Sequence, residues 1–205
     1  GDMLYVPPGV GHRGVTVPSD AEIALTYSIG FRAPSSADLI SSLLSRVVAR
    51  DTPRLFSDAG RQMVKDAGEL TKPDLAALRR FLDAEVGAAE PEDWALAAGE
   101  AVTAGVGASG AKTGMKAESI SRRLRAGSRV VPVAGARVTW CRLDNGRAAL
   151  FVNGESRVLN RDEAFAASFV CGKASRDAGR RLAASPKLLL LVADLLRAGV
   201  VALSD

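Results

Sequence analysis

Histidine is almost absent from this chain: His12 is the only one in 205 residues. With a single imidazole, no Ser-His-Asp arrangement stands out, and neither a GxGxxG nor a Walker-type phosphate loop occurs. Cysteine is scarce as well. Cys141 and Cys171 lie far apart without CxxC or CxxH spacing, which reads as two reduced thiols of a cytosolic protein rather than a disulfide or a zinc site. Long apolar runs are missing. The longest, Leu188 to Ala193, stops at Asp194, well short of the roughly 20 residues that span a bilayer, so no membrane association is expected. No charged segment followed by an apolar stretch opens the chain, so no secretory signal and a cytoplasmic location are the expectation. No internal repeat is visible.

What is present is ordinary for a globular protein of one or two domains, with 47% hydrophobic and 24% charged residues. The net charge of +4 is mild. It fits an anionic partner such as RNA or a ribosomal particle, and equally a merely basic surface.

Along the chain, Met3 to Val6 reads as a short strand stopped by Pro7-Pro8-Gly9, and Val15 to Val17 pairs nearby. Because Gly1-Asp2 looks like a turn entering a strand, the chain is expected to be the C-terminal part of a longer polypeptide or one piece of a split one. From Ala21 to Phe31 the alternation places Ile23, Leu25, Tyr27, Ile29 and Phe31 on one side and Ala24, Thr26, Ser28 and Gly30 on the other. A strand lining a ligand-bearing barrel has this pattern. Helices are then predicted from Ser35 or Ser36 as N-cap through Val48, from Thr71 as cap to Val86, and from Glu90-Pro91 onward. Residues 103–114, rich in small side chains, read as a linker. Beyond it come a basic helix from Ser119 to Ala126 with Arg122, Arg123 and Arg125, strands at Val130–Val133 and Ala136–Leu143, and a strand at Ala148–Val152. A further short strand to Leu159 and helices at Arg161–Cys171 and Pro186–Ala198 complete the chain. Asp144-Asn145-Gly146 and Asn153-Gly154 suit tight hairpins, and Gly199 is placed to end the last helix.

His12 follows a Pro-Pro-Gly turn at a strand end. Read by itself it is either a histidine satisfied by a backbone partner at a barrel rim or a metal ligand. The stretch Gly1-Asp2-Met3-Leu4-Tyr5-Val6-Pro7-Pro8-Gly9-Val10-Gly11-His12, with Tyr27-Ser28-Ile29-Gly30-Phe31-Arg32-Ala33-Pro34 after it, closely resembles the Jumonji-C-type cupin oxygenases that hydroxylate ribosomal proteins. The two N-terminal motifs are specific; the likeness of the rest lies in the order of elements.

The resemblance implies an α+β chain: residues 1–34 as the C-terminal strands of a cupin/JmjC double-stranded β-helix, 35–102 as a helical dimerisation region, 103–114 as the linker, and 115–205 as a winged-helix-like domain. It implies iron(II) held by a His-x-Asp/Glu pair and a later histidine, with open positions for 2-oxoglutarate and oxygen. His12 matches the later histidine by its Pro-Pro-Gly-x-x-His setting. No second histidine exists, so the missing N-terminal barrel half must supply the other ligands, and this chain alone is expected to be inactive. Thr26 and Ser28 are then neighbours of the 2-oxoglutarate or substrate pocket, or else small polar filling of the barrel wall. Arg32 contacts substrate or, the preferred reading, caps the helix that follows. Tyr5 and Tyr27 read as core aromatics and Asp2 as a turn residue. The implied substrate is ribosomal protein L16, hydroxylated on an arginine, with histidine hydroxylation as the runner-up. The implied assembly is a homodimer, and Arg122, Arg123 and Arg125 are candidates for contact with rRNA. The rival readings are a winged-helix nucleic-acid-binding module or a dimerisation module, each without catalysis.

Overall fold

Two of the helices begin where a hydroxyl residue is followed three positions later by an acid. In the computed structural model, which describes residues 3–7, 9–15, 33–49, 54–64, 66, 68–105, 114–173 and 175–204, α1 spans Ser36–Val48. The Ser35 hydroxyl accepts the Asp38 N–H at 3.1 Å, and the Asp38 carboxylate accepts the Ser35 N–H at 2.9 Å, a reciprocal capping box. Thr71 and Asp74 repeat it at the head of α2, Lys72–Gly87. The Thr71 N–H and hydroxyl, with Arg61 beside them, hold the Asp74 carboxyl below its usual range. Helix α3, Pro91–Thr103, opens on Pro91, with the Glu90 N–H bonded to Asp93 at 3.0 Å.

The three helices bury very different amounts. Leu43 is the one buried residue of α1, α2 buries none, and α3 buries Leu96, Ala97, Ala101 and Thr103. Helix α3 can bury a face because it lies on a sheet.

That sheet belongs to the second half. Helix α4, Ala117–Ala126, ends at Gly127, whose φ of +110° suits a glycine C-cap. Strand β1, Arg129–Pro132, follows, and then β2, Val138–Arg142, β3, Ala148–Val152, and β4, Glu155–Leu159, form an antiparallel meander. Both turns of the meander take positive φ at Asn-Gly, with Asn145 at 58° and Asn153 at 50°. Helices α5, Phe165–Val170, α6, Arg176–Ala184, and α7, Pro186–Arg197, lead to β5, Val201–Ser204, which returns antiparallel to β1 in the register Arg129↔Ser204.

Strand β3 is apolar throughout because both its faces are covered. Ala148 and Leu150 join the main core with Ile120, Leu124, Phe169, Leu182 and Val192, while Ala149 and Phe151 face Leu96 of α3. Full burial of each large side chain here contributes about 1.5–3 kcal/mol. The approach of α3 is close: a Cβ at Gly99 would overlap the Phe151 ring.

Several expectations need correction. Met3–Val6 is not a strand, since 3–7 and 9–15 carry no regular structure and Met3 is 97% exposed. A strand exists only by pairing, and these residues have no ladder partner among the described residues. The expected strand at Ala21–Phe31 lies outside the described residues, as does most of Val15–Val17. Thr103 is the last buried turn of α3 rather than the first residue of a linker. The helix expected at Arg161–Cys171 contracts to α5, because 161–164 form a turn. Helix α6 and strand β5 were not anticipated.

Candidate functional site

The chain around His12 is shaped by its turn. The Val10 N–H donates to the Pro7 carbonyl at 3.3 Å, and Gly9 sits at φ +79°, a conformation that favours glycine. This turn directs the Val10 carbonyl to His12, whose Nδ1 lies 3.3 Å from it. A carbonyl only accepts, so in the tautomer that makes this bond Nδ1 carries the proton and the lone pair falls on Nε2. Metal-binding histidines are arranged in this way, with one ring nitrogen tied to a backbone acceptor and the other left for the metal. His12 is exposed, so Nε2 is open to approach.

One imidazole is not a metal site. Among the described residues no group of three or more His, Cys, Asp or Glu side chains could hold a metal ion. The donor chemistry of His12 therefore fits one position of an iron centre, and a second imidazole cannot come from this sequence. Thr26, Ser28 and Arg32 lie outside the described residues, so His12 stands without them here. The N-cap of α1, expected at Ser35 or Ser36, is made by Ser35 with Asp38. Tyr5, expected in a core, is 73% exposed.

Neither thiol is an activated nucleophile. Burial pushes Cys171 up to about 11, and burial also raises Cys141, with the Glu92 charge adding to it against a backbone bond from Ala149.

Sequence reasoning missed a polar cluster that ties the helical region to the sheet. Glu100 of α3 receives Arg46 and Ser42 from α1 and Ser156 from β4, with Arg46 Nε at 3.2 Å and Ser156 Oγ at 2.6 Å. Thr103 Oγ1 donates to the Gly99 carbonyl at 2.8 Å and accepts the Gly154 N–H at 3.0 Å. Arg147 grips Glu92 through two nitrogens, and Arg137 reaches the Ala104 carbonyl. Contacts across more than 30 residues of chain leave no local signal.

Residues 1–39, the segment carrying His12, match the JmjC domain family, and the likeness read from the Pro-Pro-Gly-x-x-His segment is borne out. A particular relative follows: the ribosomal protein uL16 3-hydroxylase of Escherichia coli (strain K12) is 45% identical over 51 residues, covering 25% of this chain and 13% of that protein. Among solved structures, Escherichia coli ribosomal oxygenase YcfD matches with a TM-score of 0.64 at 20% identity, over 86% of this chain and 48% of that one. Its complex with cobalt and 2-oxoglutarate matches with a TM-score of 0.65 over the same shares. The chain thus shares the fold of that oxygenase and spans about half its length.

Proposed function

We propose that this chain is part of an Fe(II)- and 2-oxoglutarate-dependent hydroxylase acting on a ribosomal protein, with His12 as one metal ligand. The observation that carries the reading is the contact of His12 Nδ1 with the Val10 carbonyl, which leaves Nε2 as the nitrogen for a metal, within a segment that matches the JmjC domain. Iron(II) with 2-oxoglutarate supplies the oxygen-activating chemistry. The contribution of these 205 residues is positional. The Pro7–Val10 turn sets the imidazole, its backbone acceptor engages Nδ1, and the remaining ligands come from outside this sequence. A chain with one histidine does not assemble a two-His-one-carboxylate centre, so turnover belongs to the larger protein or complex.

The substrate we assign is ribosomal protein L16, supported by the likeness to the uL16 3-hydroxylase, and the residue we assign is an arginine. Thr26 and Ser28 border the 2-oxoglutarate or substrate pocket in this reading, and Arg32 contacts substrate. Residues 35–102 form a homodimer layer, supported by exposed apolar side chains on α1 and α2. Residues 115–205 are a winged-helix-like module, supported by the helices packed around the β2–β3–β4 meander.

The test uses the full-length protein, or the complex that supplies the other ligands, loaded with iron. His12→Ala is expected to lower 2-oxoglutarate turnover on L16 by more than about 100-fold, since losing even an outer-shell partner costs about 10–100-fold. The circular dichroism spectrum should not change, because the side chain is exposed. Wild-type turnover in the variant would remove His12 from the metal.

A further inference from the structure

The two parts of the chain carry opposite charge. Residues 1–114 contain 11 Lys and Arg against 15 Asp and Glu, while residues 115–205 contain 16 against 8. The mild overall charge hides a basic C-terminal module joined to an acidic N-terminal part.

Much of that positive charge is used internally. Arg147 pairs with Glu92, Lys187 with Glu163, Arg157 and Arg197 with Asp194, and Arg181 lies over the Phe165 ring at 4.0 Å. Arg122, Arg125, Arg129, Arg176 and Arg180 differ: all are exposed, and none of their side chains has an ion pair or hydrogen bond among the described residues. The fold gathers them. Helices α4 and α6 cross closely enough that a Cβ on Gly179 would sit 3.3 Å from the Leu124 carbonyl. At the end of α4, Arg176 Nε lies 4.0 Å from where a Gly127 Cβ would be, two residues before Arg129. Arg180 follows one turn along α6. On the flank of α4, Arg122 and Arg125 line an open groove with Ser121, Glu118 and Leu189. The acids of the two helices are Glu118 and Asp177, so arginine dominates the face.

We propose that this α4–α6 face binds the phosphate backbone of RNA. Guanidinium groups match phosphate oxygens with paired donors, and several exposed arginines on neighbouring helices suit a duplex backbone. No aromatic side chain lies on the exposed surface of α4 or α6, so stacking on unpaired bases is not offered. A membrane surface is a poorer fit, because an interfacial helix needs a bulky apolar face and the bulky apolar residues of α4 and α6, Ile120, Leu124 and Leu182, are buried. The choice of RNA over DNA rests on the ribosomal-protein reading above. The binding assay needs neither iron nor 2-oxoglutarate, so the two readings fail separately.

The experiment measures binding of the 205-residue chain to a mixed-sequence RNA duplex by fluorescence anisotropy between about 50 and about 200 mM salt. The wild type is expected to bind with a steep salt dependence. The quadruple variant Arg122→Gln, Arg125→Gln, Arg176→Gln, Arg180→Gln should bind at least tenfold or so more weakly, with the log–log salt slope reduced by about 3–4, near 0.9 per lost phosphate contact. Arg→Lys at the same four positions should keep the slope, and Arg79→Gln with Arg80→Gln on α2 should change nothing. An unchanged slope in the quadruple Gln variant overturns the proposal, as does failure of the wild type to bind at low salt. Equal or tighter binding to a DNA duplex or to equimolar phosphatidylcholine–phosphatidylserine vesicles also overturns it, as does docking of this arginine face on the acidic part of a second copy, seen as self-association that the quadruple Gln variant loses. Circular dichroism checks that the variants remain folded.

Discussion

Gly99 sits at the point where α3 meets β3, and it separates two opposing effects. In an exposed helix, Gly→Ala stabilises by up to about 1 kcal/mol through backbone entropy. Here the added methyl would overlap the Phe151 ring, and Phe151 is 1% exposed, so the ring has no free space to move into. Overpacking of a filled core costs about 1–3 kcal/mol and outweighs the propensity gain. Gly99→Ala is therefore expected to lower the urea midpoint, and combining it with Phe151→Leu should restore part of the loss. Stabilisation by the single substitution would mean that α3 does not pack on β3 through this glycine.

Among the elements, the Glu100 cluster joins three segments that are distant in sequence. Arg46 and Glu100 are each about one-fifth exposed, at 21% and 20%, so their interaction is partly shielded from water but not buried. Glu100→Ala leaves Arg46, Ser42 and Ser156 without their shared acceptor, and a loss of about 1–3 kcal/mol is expected. A double-mutant cycle with Arg46→Ala, read in urea melts, should give a coupling above about 0.5 kcal/mol. Additive losses would show that α1 is held by Leu43 and its apolar neighbours alone.

The elements also show what could be read in advance. Ser35 and Thr71 as caps, Pro91 at a helix start, both Asn-Gly turns and Gly199 after α7 are local chemistry, and each appears where the residues imply it. Strand β5 is four residues long and acquires its identity from β1, some 70 positions earlier. Helix α6 carries four charged residues in nine and signals its buried face only through Leu182 and its small neighbours. The Glu100 cluster and the Thr103–Gly154 bond are likewise invisible in sequence because their partners lie more than 50 residues apart. For the site, the turn before His12 is legible from Pro7 and Gly9, whereas the neighbours expected at Thr26, Ser28 and Arg32 fall outside the described residues.

At the scale of the whole molecule, α2 poses the main question, because a helix of 16 residues with no buried side chain has little to hold it. Its support within the chain is largely polar or peripheral: the Thr71–Asp74 box, the Arg54–Glu85 and Arg61–Asp74 pairs, and an edge-on contact of Phe81 with Phe56. Its apolar stripe remains open, with Leu75 at 52% and Leu82 at 61% exposure, and α1 adds Ile40 at 57%. Exposed apolar side chains in this number on adjoining helices mark an interface. The homodimer proposed above would cover them, provided each partner buries about 800 Å². Sedimentation equilibrium of the wild-type chain should then give a dimer. Leu82→Glu together with Ile40→Glu should weaken it by more than about 30-fold, the effect of removing about 2 kcal/mol of central contact. The double variant should also lose helix content at low concentration, since α2 depends on the partner for burial. A wild-type chain that sediments as a monomer, with α2 protected from hydrogen exchange, would assign the stability of this helix to its caps and ion pairs instead.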